Sequence, residues 1–447
     1  MEGHASSIRD DREKTMGVEE LFFSTTDRRG VIRQGNSVFG RISGYAQDEL
    51  VGAPHSLVRH PDMPGGAFRL VWDRLGAGRP VGAYMKNLAR DGRPYWVFAT
   101  MSPVRDGHLS VRMAARAPLF DVAKQVYAQA AEAERAVPMS RRDAAVHGMG
   151  HIEEALRRQG YPSYDAFMFD ALPAEVSARG HVLATSYARP GASGPIGEVL
   201  SGAGAVDDLL GDLVGRLSAY HGLCERLATA SANVLDIGHR MSLSVEAAQR
   251  ASESVAASAP VLANVARVMS SPMGKALAEL ERMRALLDRL RADVAELRFR
   301  ISLARLYNKM VAAFAAEVVD GVAPSGSLGA VPLLCDAAQA GALDMSDQVR
   351  RVNDGLRDVA GLVGEARDLL EEFRRFLGQW RNLVLRHRAA ASLAGMLDPI
   401  DAEITASWDW IEMLRTLADR CEAAVIPFDL PALEGRLTRM KLAPVAA

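Results

Sequence analysis

The densest group of chemistry-capable side chains in this chain is the string Pro54-His55-Ser56-Leu57-Val58-Arg59-His60-Pro61-Asp62-Met63-Pro64. Arg59, His60 and Asp62 stand immediately before a stretch of helical periodicity. That places them at a helix N-terminus, where unpaired N–H groups and the helix dipole favour an anion. Arg59 adds a planar fork of donors suited to phosphate. A polar turn before a helix is more often a plain cap, and both readings stand at this level. Other signals are thinner. His147 and His151 are four apart, a metal-ligand spacing on a helix, but no third ligand is near and Gly148 and Gly150 weaken that helix. Gly274-Lys275 lacks the upstream glycine and the following Ser or Thr of a phosphate-binding loop. With no Ser/His/Asp, HExxH or paired-carboxylate pattern, the chain reads as non-enzymatic. Cys224, Cys335 and Cys421 are far apart, which fits small buried residues in a reducing compartment.

Around the polar string, apolar runs are short and punctuated by glycine. Leu21 to Thr26 reads as a strand that turns at Asp27-Arg28-Arg29-Gly30, with Val31 to Gln34 as its return. Asn36 to Gly44 and Asp48 to Val51 read as short helices. Pro64 to Leu75 is a better one, with Pro in its first turn. Three longer strands follow, Val81 to Ala89, Tyr95 to Val104 and His108 to Arg116. Asp91-Gly92 and Asp106-Gly107 separate them, and Asp-Gly is a strong hairpin signal. The segment is therefore expected to be a compact α+β domain. Residues 120–136 are expected to be helical, with Leu119, Val122, Val126 and Tyr127 on one face. Pro162, Pro173, Pro190 and Pro195 then predict short helices and loops up to about residue 200.

From residue 206 the apolar period becomes seven. The first run is Leu210, Leu213, Leu217, Tyr220, Cys224, Leu227, Ser231, Val234, Gly238, Met241, Val245, Ala248, Ser252 and Val255. Pro260 and Ser270-Ser271-Pro272 are expected to interrupt it. The second is Met273, Ala276, Leu280, Met283, Leu287, Leu290, Val294, Leu297, Ile301 and Ala304. After a Gly/Pro-rich loop at 321–332, the third is Met345, Val349, Val352, Leu356, Val359, Val363, Ala366, Leu370, Phe373, Leu377, Trp380 and Val384. A weaker helix is expected from Ile400 to Val425. A 3.5-residue apolar period held over many turns means coiled-coil packing.

At 447 residues the chain has room for about three domains. Lys plus Arg number 53 against 55 for Asp plus Glu, so the basic excess of a nucleic-acid binder is missing. No uninterrupted apolar stretch reaches the ~18–20 residues that span a bilayer. The best candidate, Met310 to Val319, is short and contains Glu317. The chain is expected to be cytoplasmic.

Residues 22–116 closely resemble the PAS domain of aerotaxis receptors, which are flavin-binding redox sensors. The resemblance is carried by Ser24-Thr25-Thr26-Asp27, Asn36, Ile42-Ser43-Gly44-Tyr45, Glu49-Leu50-Val51-Gly52 and the Arg59-His60-Pro61-Asp62-Met63-Pro64 block. It continues through Ala67-Phe68, Trp72, Gly78-Arg79-Pro80, Lys86-Asn87, Asp91-Gly92 and Tyr95-Trp96-Val97, and departs at Val81, where the family usually has Trp. It implies five antiparallel strands with helices on one face, and FAD as ligand. Asn36, Arg59, His60, Asp62, Phe68, Trp72 and Asn87 match the family's flavin pocket. Phe68 and Trp72, four apart, would line the ring's slot or simply pack as helix-to-sheet core. Asn87 would meet the ring's polar edge. Val245-Glu246-Ala247-Ala248 and Val261-Leu262-Ala263 with Arg267 resemble the signalling tip of chemoreceptors, in divergent form.

The expected organisation is a polar tail (1–20), a PAS sensor (21–118), a helical linker with loops (119–204), long antiparallel coiled-coil helices (205–320) and further heptad helices completing a bundle (333–447). The resemblance implies a sensor of redox or energy state that signals through its helices, forms a homodimer or higher oligomer through them, and meets a signalling-protein partner there. The alternative is a non-catalytic scaffolding or dimerisation protein whose PAS domain binds a partner and no cofactor.

Overall fold

At the Asp91-Gly92 turn Gly92 takes a φ of 84°, a left-handed conformation that costs glycine nothing. It joins strands β3 (Val81–Leu88) and β4 (Pro94–Val104). In this computed structural model, which describes residues 13–136, 138–182, 187–254 and 260–443, three further strands complete the sheet. These are β1 (Phe22–Thr26), β2 (Ile32–Gly35) and β5 (Gly107–Ala114). All pairings are antiparallel, in the order β2-β1-β5-β4-β3. Helices α1 (Ser37–Ser43), α2 (Gln47–Leu50) and α3 (Gly65–Gly76) lie between β2 and β3 in the chain. The fold class is the expected one, and the strand boundaries fall within a few residues of those read from alternation.

Val81, Ala83, Tyr84 and Met85 of β3 and Tyr95, Val97, Phe98 and Ala99 of β4 are all buried. A strand reads as a nearly continuous apolar run when both of its faces are covered. One face meets α3. The other is covered by two later helices, α6 (Tyr164–Val182) and the near end of α8 (Pro260–Val319). The Tyr164 hydroxyl donates to the Gly82 carbonyl at 3.0 Å, and the Tyr307 hydroxyl donates to Ser102 Oγ at 2.6 Å. Phe314 stands edge-on to Phe23, with ring centroids 5.3 Å apart.

Residues 138–182 depart from expectation. In place of short helices and loops there are two long helices, α5 (Arg141–Arg158) and α6, after α4 (Leu119–Ala136). Pro173 lies inside α6. Interior proline disfavours a helix by roughly 3 kcal/mol, but Tyr164, Phe167, Met168, Ala171, Leu172 and Val176 are all buried. Burying each large apolar side chain returns about 1.5–3 kcal/mol, so packing overrides the breaker. Helix α5 crosses α3 at unusually close range. A Cβ on Gly66 would meet Met149 N at 2.3 Å and Gly148 C at 2.4 Å, so glycine is required there.

The remaining helices are α7 (Gly194–Ser254), α8, α9 (Val331–Arg386), α10 (Ala390–Ala423) and α11 (Leu430–Leu442). The chain divides into two compact units. One comprises 1–214, 295–346 and 429–447, and the other 215–294 and 347–428. In the first unit, Asn308 of α8 donates to the Ala203 carbonyl of α7 at 2.8 Å, and Arg305 pairs with Asp207 at 2.9 Å. In the second, Arg291 of α8 pairs with Glu225 of α7 at 3.0 Å, and Gln249 Nε2 donates to the Ala266 carbonyl at 3.1 Å. Residue numbers rise on one helix as they fall on the other, so α7 and α8 are antiparallel in both.

Every residue of the third heptad run, from Met345 to Val384, is buried. Trp380 is fully enclosed, and its indole N–H donates to Ser252 Oγ at 2.9 Å. Ser270-Ser271-Pro272 does not interrupt the helix, since α8 runs through Pro272. Buried Ala266, Ala276, Leu280 and Met283 on either side of it hold the helix in place. Val255 lies outside the described residues, as do the burial of Gly238 and the side chains of Ser231, Val234, Met241 and Met273.

Candidate functional site

Side chains from the sheet, from α3 and from two loops line one cavity of about 330 Å³. Strand side chains alternate between faces. Met85 and Asn87 of β3 therefore point one way together, as do His108, Ser110 and Arg112 of β5 and Ser24 and Thr26 of β1. Helix α3 adds Phe68, Val71, Trp72 and Leu75, the i, i+3, i+4, i+7 set of a single face. The loop before α3 brings Pro54, His55, Ser56 and Arg59, and the β1–β2 turn brings Arg29 and Gly30. That turn is set by Asp27, whose carboxylate accepts from Val31 N at 2.9 Å and Arg29 N at 2.8 Å. The loop is pinned by an antiparallel bridge between Arg59 and Asn87.

The lining combines three arginines and two histidines with no acidic side chain. The guanidinium of Arg59 lies 3.5 Å above the centre of the Phe68 ring. Trp72 forms part of the rim, largely exposed, edge-on to His108 with centroids 5.3 Å apart. Two buried polar atoms in the wall, Asn87 Nδ2 and Ser24 Oγ, have no hydrogen-bond partner among the described residues. A buried donor left unpaired costs about 1–3 kcal/mol. Both residues line the cavity, and these two atoms are covered within its wall.

Four of the seven residues picked out in the sequence meet here: Arg59, Phe68, Trp72 and Asn87. Asn36, His60 and Asp62 are placed elsewhere. Asn36 caps α1, its Oδ1 accepting from Phe39 N at 3.2 Å and Phe23 N at 3.0 Å, while its Nδ2 donates to the Leu21 carbonyl at 2.7 Å. His60 is buried beside β3, with its backbone N–H on the Lys86 carbonyl and its Nδ1 accepting from Asp62 N at 3.1 Å. Asp62 pairs with Lys86 Nζ at 3.0 Å. Lys86 faces away from Asn87, so these contacts brace the loop against the strand.

Among the wall residues given no site role from the sequence are His55 and Arg112. The Arg112 guanidinium donates to His55 Nε2 at 2.8 Å. Arginine has only donors to offer, so Nε2 is the acceptor and the imidazole is neutral. The ring stacks on Phe39, with centroids 5.6 Å and planes 13° apart. Burial, and then the nearby charges of Arg112 and Arg59, hold the His55 pKa well below the usual histidine range. The signal for Arg112 was the polar alternation of His108, Ser110 and Arg112 along β5, which reads equally well as a solvent-facing stripe.

The depressed His55 pKa makes stability fall with acid. Below about pH 6.5, the unperturbed histidine value, the unfolded chain takes up a proton that the folded chain refuses. Stability is thus present above that pH and is lost as pH falls toward the folded value, by up to about 1.4 kcal/mol per pH unit. His55→Gln keeps an acceptor for Arg112, and its melting temperature should fall less than that of the wild type between pH 6.5 and 5. Parallel curves would show that His55 is not the titrating group.

Residues 34–114 match the family model of the PAS fold. This segment is a PAS domain. The chain is 43% identical over 104 residues to the aerotaxis receptor of Escherichia coli (strain K12), which covers 23% of this chain and 21% of the receptor. It is 38% identical over 82 residues to the biofilm dispersion protein BdlA of Pseudomonas aeruginosa, covering 18% and 20%. The chain thus spans about a fifth of the length of the curated relatives it matches. Among solved structures, the LOV domain of the blue-light photoreceptor Aureochrome1 is 18% identical, with a TM-score of 0.22 over 23% of this chain and 88% of that one.

Outside the PAS domain, the cysteines are buried thiols. Burial raises Cys224 to about 11 and Cys335 and Cys421 to about 12, far from the thiolate that reactive cysteines need. His147 and His151 approach to 3.2 Å between their Nε2 atoms, but no group of three or more potential metal ligands occurs among the described residues. No described helix is long and apolar enough to cross a membrane.

Proposed function

We propose that this chain is a non-enzymatic signal-transduction sensor. It reads redox or energy state through FAD held in the PAS cavity and passes the change to the helical region, as in aerotaxis and chemotaxis signalling. The observation that carries this reading is the pair of unpartnered buried groups, Asn87 Nδ2 and Ser24 Oγ, in the cavity wall. A ligand whose polar atoms reach the wall would give these groups partners. Phe68 and Trp72 supply aromatic wall and rim, and Arg29, Arg59 and Arg112 supply positive charge. The residues present fit the group, and the chain is similar over 104 residues to the aerotaxis receptor. When bound, the flavin would supply the capacity to take up and return electrons.

The chain's own part is to convert a change at the cavity into strain on its exit. Strand β5, which lines the cavity, leads through residues 115–118 into α4. There the buried carboxylate of Glu175 on α6 accepts from Arg116 N at 2.8 Å, from Ala117 N at 2.9 Å and from the Tyr84 hydroxyl at 2.9 Å. A shift of β5 or β3 therefore reaches α6 through one shared carboxylate, beside the Tyr164–Gly82 hydrogen bond. We place the sensor in the cytoplasm, with a signalling-protein partner at the helical region. A homodimer or higher oligomer would use outer helix faces, since the third heptad seam is filled within one chain.

The purified full chain should be yellow, or become so on reconstitution with FAD, with an absorbance that dithionite bleaches. A colourless protein that takes up no FAD would leave the scaffolding or dimerisation reading in its place.

A further inference from the structure

The cavity wall contains a charge that the protein itself does not balance. Arg112 is 5% exposed. Among the described residues its guanidinium meets His55 Nε2 at 2.8 Å, Ser110 Oγ at 3.1 Å from Nε, and the face of Phe22 at 4.7 Å. All three are neutral. No carboxylate pairs with it among the described residues, and none lines the cavity. Burial lowers the guanidinium to about 10, opposed electrostatically among the described residues by Tyr95. A buried charge is normally paired, because taking a lone ion out of water is costly. Here the pairing partner is missing on the side that faces the cavity.

We propose that Arg112, braced by His55, is the charge-selecting residue of the cavity, and that the buried part of its ligand carries or gains negative charge. This rests on the flavin reading. The oxidised ring is neutral, and uptake of two electrons from the dithionite of the test below and one proton from water leaves it with one net negative charge. A fixed cation in a dry wall holds the charged form more tightly than the neutral one. Arg112 therefore favours the reduced ring over the oxidised ring and raises the reduction potential. His55 contributes as a positioning residue. Its neutral Nε2 orients the fork without cancelling the charge, which a carboxylate at the same place would do.

The test uses the full chain as wild type, Arg112→Met and Arg112→Lys, each with and without FAD. In the flavin-loaded proteins, R112M should shift the reduced-to-oxidised affinity ratio at least tenfold, lowering the two-electron potential by about 30 mV. R112K, which keeps the charge, should stay near the wild type. Without flavin, R112M should melt at a higher temperature than the wild type, because an unbalanced buried cation has been removed. Equal potentials in wild type and R112M overturn the inference while leaving the flavin reading intact. An equal fall in R112M and R112K overturns it too, since shape and not charge would then be at work. A flavin-free R112M less stable than the wild type would make Arg112 a structural strut and also overturn it. A wild-type chain that takes up no flavin overturns both readings.

Discussion

Replacing Glu175 with alanine is expected to lower the stability of the PAS-containing unit by about 3–5 kcal/mol. The Glu175 carboxylate is 1% exposed, and burial raises its pKa above the usual glutamate value, against the pull of its three donors. Alanine would strand the Arg116 and Ala117 N–H groups and the Tyr84 hydroxyl in a dry site. Each costs about 1–3 kcal/mol unpaired, with some recovery through relaxation or an entering water. Glu175→Gln should lose about half as much, because the amide keeps one acceptor but turns an NH₂ toward a backbone N–H. Urea denaturation of the two variants and the wild type, followed by near-ultraviolet circular dichroism, measures this. An alanine variant within about 1 kcal/mol of wild type would mean that the junction between β5 and α4 is held by apolar packing, and that the carboxylate is no link to the helices.

Asn87→Leu should have opposite effects on ligand affinity and on stability. Leucine is close to asparagine in shape but has no donor. FAD affinity should fall about 10- to 100-fold, the equivalent of about 1.4–2.8 kcal/mol for a lost hydrogen bond in a closed site. The protein without flavin should be as stable as wild type or more so, by about 1 kcal/mol, because the orphaned Asn87 Nδ2 is gone. Misfolding would lower both quantities, so the signs separate the two explanations. Flavin fluorescence titration and thermal melts suffice. A leucine variant that keeps wild-type affinity would remove Asn87 from the binding groups.

Local chemistry made much of the PAS domain legible. Asp91-Gly92 and Asp106-Gly107 mark turns whose backbone demands are local, and alternation on each side predicts the strands they join. The heptads were legible for the same reason. A seam from Met345 to Val384 without one polar residue has to be buried somewhere. Where proline argued against helix, local chemistry misled. Pro173 and Pro272 sit inside α6 and α8, since breaker strength is a local quantity and the apolar packing that outweighs it is not.

The candidate site was half legible. Arg59, Phe68, Trp72 and Asn87 lie in one cavity, drawn from a loop, a helix and a strand, whereas Asn36, His60 and Asp62 serve as cap and braces. A string such as Arg59-His60-Pro61-Asp62 cannot reveal which of its members turn inward, since that depends on the pairing of the loop with β3.

The amino-acid order alone determined the kind of each element: strands where side chains alternate, turns at Asp-Gly, long helices where the apolar period is seven. Periodicity and turn preference are properties of neighbouring residues, so they survive without any knowledge of the rest of the chain. Only the tertiary structure decided that the polar stripe of His108, Ser110 and Arg112 faces an inner cavity and not water. Only there does Arg112 meet His55 and lack a counter-charge, because burial and pairing belong to whatever packs opposite a residue, and for Arg112 that includes a loop 57 positions away.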